Sequence, residues 1–359
     1  MRVAIREKPR FPRETSVRSR RIAGCSIALT AIASVTIAAC AAKPPAQPPA
    51  APAPIASPTP AQRHPGISSY SPYAITGGKD GAVWYTEFQG DGIGRIEHDG
   101  SLMRFKIDPT GFAQRITAGP DGAMWFTDTI GNRIGRVTSD DKVAYVKLPH
   151  DKSGPNGITS GTDGNLWFTE RTGNRIGRLS PTGTLTEFSL SAGGGPAEIV
   201  AGRDGYVWFA EDKGNRLGRI ASNGKVAEFA IQTPHATPGC MTLGPDGNVW
   251  FTELASGKIG RVTPEGAITE YQLPEKGSPL GIATGRDGNL WVTVIGARAI
   301  YRISPTGQFE LFHAGPDTVP TFIAAGPDGY LWFTEPGGKI GRLSITGEVT
   351  EFVVAKVSM

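Results

Sequence analysis

The seven tryptophans of the chain, Trp84, Trp125, Trp167, Trp208, Trp250, Trp291 and Trp332, are spaced by 41 or 42 residues throughout. Each lies three residues after an Asp-Gly pair, from Asp80-Gly81 through Asp328-Gly329, and an Ile/Leu-Gly-Arg signature follows it. That signature ends at Arg95, Arg136, Arg178, Arg219, Arg261 and Arg342; the sixth copy departs, reading "WVTV" and "AIYRI" around Trp291 and Tyr301. Within one copy, "GTDGNLWFTERTGNRIGRLSPTGTLTEFSL" (161–190), tight-turn signals at Asp163-Gly164 and Pro181-Thr182-Gly183 separate short runs rich in Trp, Phe, Ile, Leu and Thr. The copy therefore reads as four short antiparallel strands. Such a sheet is marginal without a covering layer, so the copies must stack on one another. A linear solenoid would need polar caps at its ends, and the first and last copies look ordinary. The spacing predicts an all-β chain, a seven-bladed β-propeller with four antiparallel strands per blade. The repeats fall near 72–112, 113–154, 155–195, 196–237, 238–278, 279–319 and 320–354 within a propeller domain at 67–359.

The first forty residues are a different object. Arg18, Arg20 and Arg21 precede an apolar run from Ile22 to Ala39 that ends "TIAAC", the order of a basic region, an apolar region and small residues before a cysteine. This resembles a bacterial lipoprotein signal, which makes 1–39 a signal peptide and Cys40 the lipidated first residue. Cys25 fits the short pattern but has no apolar run ahead of it, and the alternative for the run itself is a transmembrane anchor of the same 18 residues. Either reading places the repeats outside the cytoplasm, in the bacterial cell envelope facing periplasm or exterior. Residues 40–66 are rich in Pro and Ala and read as a semi-rigid spacer.

Residues 1–39 hold eight of the 37 Lys and Arg and two of the 33 Asp and Glu, leaving 29 basic and 31 acidic residues after the leader. A mature charge near −2 gives no reason to expect nucleic acid. With Cys40 lipidated and Cys25 removed, Cys240 remains alone, so neither an intramolecular disulfide nor a cysteine metal cluster is expected. No feature argues for an oligomer, and the expected state is a monomer.

The innermost strand of each blade starts at one mouth of the channel, where loops also converge, and that mouth is the expected ligand site. The residues placed there are Tyr73, Gln114, Asn156, Ala197, Gly239, Leu280 and Thr321, with Arg115 and Glu198 one position further on. His150, His235 and His313 lie on the crossings between blades. Glu87, Asp128, Glu170, Glu211, Glu253 and Glu335 close the second strand of six blades, with Val294 in the sixth. A carboxylate repeated in one slot of nearly every blade points to pairing with a repeated Arg or to loop capping. Repeated Trp and Phe point to blade-to-blade core. Function must come from residues that differ between blades.

With those residues in view, "PNGITSGTDGNLWFTERTGNRIGRLSPTGTLTEFSL" and its copies closely resemble the streptogramin B lyase (virginiamycin B lyase) group of seven-bladed propellers, over about residues 70 to 354. The resemblance implies opening of a macrocyclic depsipeptide by elimination at its ester. A His acts as general base, and Mg2+ bound by His and Glu polarises the ester. Those family residues stand in segments opening the sixth and seventh blades. Here the sixth reads "SPLGI", with Leu280 at a metal-binding His, and the seventh reads "TVPTFI", with Val319 at the Glu and Thr321 at the catalytic His. A further family Glu falls at Pro336, with Glu335 adjacent, and Tyr73 in "SPYAI" matches a family mouth residue. Leu and Val cannot ligate a metal, and Thr is no general base near neutral pH without unusual help.

The favoured expectation is a lipid-anchored binding or interaction propeller that needs no cofactor. Its mouth, formed by Tyr73, Gln114, Arg115, Asn156, Glu198 and Thr321, takes a small molecule, peptide or envelope polymer, and its only membrane contact is the lipid. The alternative is an enzyme: a Mg2+-dependent carbon–oxygen lyase or another propeller hydrolase, with relocated groups such as His235 and His313 and with Glu335 and Glu253 as metal candidates. The leader pattern makes one prediction: mass spectrometry of the mature N-terminus finds a diacylglyceryl Cys40. An unprocessed leader, or cleavage elsewhere, contradicts it.

Overall fold

The computed structural model describes residues 59–60, 63–64, 70–88, 90–107, 111–191, 193–315 and 317–355. The leader, Cys40 and most of the expected spacer lie outside them. The described residues form seven antiparallel blades and no helix. Blade 3 is representative, with Pro155–Ser160 innermost, then Leu166–Glu170, Arg175–Leu179 and Leu185–Ser189 outermost.

Every second strand is buried along its length, save Ile295 at the end of the sixth, because both of its faces meet neighbouring blades. The Asp of each Asp-Gly turn accepts a hydrogen bond from the indole N–H of the Trp four residues on, in all seven blades; Trp167 Nε1 to Asp163 Oδ1 is 3.1 Å. One carboxylate thus closes the turn and satisfies the only polar atom of a buried indole. In six blades the third strand carries a Gly opposite an aromatic ring of the second. A Cβ on Gly177 would stand 2.1 Å from Phe168 Cζ. The sixth blade reverses the sizes, pairing Val292 with Tyr301, so the ring of this pair comes from the third strand instead of the second.

Two side chains join neighbouring blades. In blades 3 to 7 the Arg of the third strand lies over the Trp and reaches a carbonyl in the next blade. Arg178 donates to Ser222 O at 2.7 Å, Arg261 to Pro305 O at 3.2 Å, and Arg342 closes the ring on His98 O at 2.9 Å. The second device is the buried Thr of the second strand. The inner strand bulges after its first residue, which takes the next amides off the ladder. Thr169 Oγ1 accepts from Gly157 N at 2.9 Å and donates to Ala197 O of blade 4 at 2.6 Å. Thr127, Thr252, Thr293 and Thr334 make the equivalent bond to Asn156, Leu280, Thr321 and Tyr73, so the latch fixes the carbonyl of one mouth residue after another.

The joint between blades 1 and 2 differs. Arg95 stays within blade 1 on Asp80 and Glu97, and the carbonyl of Gln114 accepts from Arg115. Among the described residues neither repeated device crosses there. At this joint the chain preceding the propeller contributes two short strands: Arg63–His64 pairs with the outer strand of blade 1 and Thr59–Pro60 with that of blade 2. The last blade takes its outer strand, Val349–Val353, from its own repeat. Ring closure therefore follows the expected contiguous order, and the N-terminal strands add to blades already complete.

Thr334 tests the latch at the ring-closing joint. Thr334→Val keeps the volume but strands the Phe322 amide and the Tyr73 carbonyl, so it should lower the unfolding free energy by about 1–3 kcal/mol. Denaturant unfolding that matches the parent within error would show that the latch carries no weight.

Candidate functional site

All seven residues expected at the mouth are partly buried; six lie near the start of inner strands, and Thr321 stands two residues before the inner strand of blade 7, Ile323–Ala325. They do not form one polar ring. A cavity of about 310 Å³ opens on one side, across blades 1, 6 and 7, with Tyr73, Phe88, Leu280, Thr321, Phe322 and Pro336 in its wall. Tyr73 is the hub of an aromatic cluster. Its ring centroid lies 4.7 Å from Phe322, edge on, 5.4 Å from Phe88 and 6.1 Å from Phe112. Phe88 is 44% exposed, an unusual state for a ring that size beside a cavity. Leu280 supplies the aliphatic side. The hydroxyl of Thr321 is held by Thr334, with Oγ1 2.8 Å from both the carbonyl and the hydroxyl of that residue.

Of the six residues expected to bind ligand, Tyr73 and Thr321 line this cavity. Gln114 stands behind it, donating to the Tyr73 hydroxyl at 3.3 Å. Arg115 and Glu198 pair with each other across the channel at 2.7 Å, and Asn156 lies on the far side in blade 3. Phe88, Phe112 and Phe322 are site residues that the sequence reading passed over. The signal available was difference between blades. Phe88 follows the second strand where blade 3 has Arg171, and Phe322 occupies the slot filled by Arg115, Glu198 and Cys240 elsewhere.

Neither candidate histidine reaches the cavity. His313 ends the outermost strand of blade 6, exposed and three strands out from the channel, roughly 14 Å at about 4.8 Å per strand. His235 is exposed on the crossing into blade 5, with φ at +54°, and blade 5 contributes nothing to the cavity wall.

The repeated carboxylates are buried inside their own blades. Their cationic partner is not the arginine of the Ile/Leu-Gly-Arg signature, which faces the Trp, but the residue opposite them in the register, the first of the third strand. Arg133 Nε lies 2.7 Å from Asp128, Arg175 Nε 2.8 Å from Glu170, and Arg216 bonds Glu211; in blade 1 Arg104 of the outer strand takes Glu87 with two bonds. Blade 6, which has Val294 in the slot, has Ala299 opposite it.

Blades 5 and 7 carry Lys258 and Lys339 at the partner position. Each lies nearer a carboxylate of the outer strand, Glu270 at 3.9 Å and Glu351 at 2.6 Å. One oxygen each of Glu253 and Glu335 is buried without a partner, as is one of Glu170 and one of Glu211. Burial, then the neighbouring Glu270 or Glu351, raises both carboxyls to about 7. In blade 3 burial beside Glu170 raises Glu187 to about 8.

A divalent cation at the cavity would need oxygen or imidazole donors facing it. The wall offers no carboxylate or imidazole, and its hydroxyls, on Ser71, Tyr73 and Thr321, are engaged with Pro336, Gln114 and Thr334, so the residues do not fit such an ion. Glu253 and Glu335 sit in separate blades. Among the described residues no three His, Cys, Asp or Glu side chains come together as ligands.

Fold and site together define a seven-bladed propeller with an apolar cavity at its channel mouth. The virginiamycin B lyase family profile matches residues 63–194 and 190–358, and the chain belongs to that family. A solved streptogramin B lyase is 33% identical, with 81% of this chain and 97% of that one covered and a TM-score of 0.74. A catalytically inactive histidine-to-alanine variant of virginiamycin B lyase from Staphylococcus aureus, solved with quinupristin, is 34% identical over 78% of this chain and 98% of that one, with a TM-score of 0.73. Kuenenia stuttgartiensis hydrazine synthase, 15% identical at a TM-score of 0.64 over 81% of this chain and 98% of that one, shares the fold alone. Among curated protein sequences no relative matches.

The raised carboxyls set a pH dependence. Their folded pKa values lie above the ordinary 4.5, so the folded state holds protons that the unfolded chain gives up. Their stabilising contribution is full below pH 4.5 and is lost as pH rises through about 7 to 8. Glu253→Gln and Glu335→Gln keep a neutral side chain at every pH. Each should flatten the fall in Tm between pH 4.5 and 8, a difference on the order of 2 kcal/mol at the alkaline end. Parallel melting curves for parent and variants across that range would refute the assignment.

Proposed function

We propose that this protein is an exported, lipid-anchored binding propeller whose mouth cavity takes an apolar group of a small molecule, peptide or envelope polymer, and that it does not open depsipeptide rings. The observation that carries the reading is the cavity wall. Its rings and aliphatic groups come from Tyr73, Phe88, Phe322 and Leu280, and no imidazole, carboxylate or amine faces the space. Ester elimination needs a base at the acidic C–H and a cation on the ester, and base catalysis alone contributes about 10²-fold or more. At the positions where the family resemblance puts those groups stand Leu280, Val319 and Thr321, and the Thr321 hydroxyl is committed to Thr334. Aromatic walls suit binding because they bury large area with few rotatable bonds. The leader pattern and Cys40 support export and a lipid anchor, with the propeller facing periplasm or exterior as a monomer.

The test uses quinupristin, the compound solved with the staphylococcal relative. After incubation of the full chain with the antibiotic and Mg2+, chromatography should recover it intact. A calorimetric titration should show binding that Phe88→Ala weakens by roughly tenfold, about 1.5 kcal/mol for the apolar area lost. A ring-opened product that disappears in Thr321→Val or His235→Ala would restore the lyase reading.

A further inference from the structure

The mouth's most heavily engaged polar group touches the cavity wall without lining the cavity. Arg115 starts in blade 2 and crosses the channel, where its Nε donates to Glu198 Oε1 of blade 4 at 2.7 Å. Its guanidinium carbon stands 4.5 Å from the centroid of Phe322 in blade 7 and 5.2 Å from that of Tyr73 in blade 1. One side chain thus connects four blades. Both partners of the ion pair are only 15% exposed. The third polar group beside them, the Cys240 thiol of blade 5, is pushed up to about 12 by burial and stays neutral.

A buried ion pair is a poor source of stability, since desolvation offsets most of the attraction. Its consequences at this place are local. A guanidinium over two ring faces holds them by cation–π attraction and fixes the edge-on angle of Tyr73 to Phe322. Glu198 meanwhile cancels the one positive charge that lies directly behind the wall. Without Glu198 the cavity would face an uncompensated guanidinium through a single ring thickness. Without Arg115 it would face an uncompensated carboxylate.

We infer that the Arg115–Glu198 pair is the specificity device of the mouth: it positions the Tyr73–Phe322 wall and, by its neutrality, sets the cavity to prefer uncharged over anionic ligands. The inference rests on the reading of this cavity as a ligand site. Arg115 and Glu198 are positioning residues in this scheme, acting on a ligand through the rings and through their field.

Two fluorescent probes differ by little more than a charge: phenylnaphthylamine is neutral, and anilinonaphthalene sulfonate carries a sulfonate on the same skeleton. Both are titrated into the full chain, and Leu280→Trp, which fills the cavity, identifies the signal that comes from the mouth. The parent should bind the neutral probe more tightly. Glu198→Gln should shift the affinity ratio roughly tenfold toward the anionic probe, and Arg115→Met roughly tenfold the other way, as expected for one unit charge within about 8 Å in a half-buried site. The double variant should return the ratio to the parental value. Loss of wall geometry alone would weaken both probes together and leave the ratio unchanged. Because the two single variants shift it in opposite directions, failure of one to fold leaves the other decisive. An unchanged ratio in a folded single variant, with mouth binding still blocked by Leu280→Trp, overturns the inference and spares the binding site. Absence of any probe signal sensitive to Leu280→Trp overturns both.

Discussion

One hydrogen bond per blade, from the tryptophan indole to the aspartate four residues before it, sets up most of what the molecule does. The aspartate needs the glycine after it to turn the chain, and the glycine stands at positive φ; Gly164 is at +75°. The bond fixes the plane of the indole, which then presents one face to the guanidinium of the third strand, as Arg178 lies 5.6 Å over Trp167. That guanidinium, aimed outward by the stack, is what reaches the next blade. Turn and core share this single cause in all seven blades, and in blades 3 to 7 the contact to the next blade shares it too.

A ring of this kind frees the inner strand starts from structural duty. The latch threonines hold five mouth residues by their carbonyls, so the side chains at Tyr73, Asn156, Ala197, Leu280 and Thr321 can vary without disturbing the joint. This chain uses that freedom unevenly. Blades 1 and 7 carry the aromatic groups, blades 2 and 4 carry the charges that tie across the channel, and blade 3 keeps the plain pattern. Family membership describes the scaffold; the cavity wall describes what this member offers a ligand.

The architecture was legible because it repeats: a period of 41 or 42 residues leaves few alternatives for short, turn-bounded strands. The carboxylate partner was half legible. Pairing with a basic residue was expected, but the conspicuous Gly-Arg arginine lies opposite the Trp in the register, while Glu170 lies opposite Arg175. Reading cross-strand partners would have found it. The cavity was less legible, since Phe88 and Phe112 fall in irregular connections and Phe322 looks like core. The Arg115–Glu198 tie could not be read at all. It joins residues 83 positions apart across a channel, and no local pattern encodes a distance between the first turns of two blades.

The joint between blades 1 and 2 lacks both repeated fasteners and is spanned from outside by Thr59–Pro60 and Arg63–His64, which come from the chain that precedes the propeller. A load applied at those two strands would therefore be shared by the outer edges of blades 1 and 2 together rather than borne by one blade alone. The two strands form a strap across a joint that is otherwise held by Lys79 on the Gly119 carbonyl and by Gln114 on the Tyr73 hydroxyl, the ring that stands at the centre of the mouth's aromatic cluster.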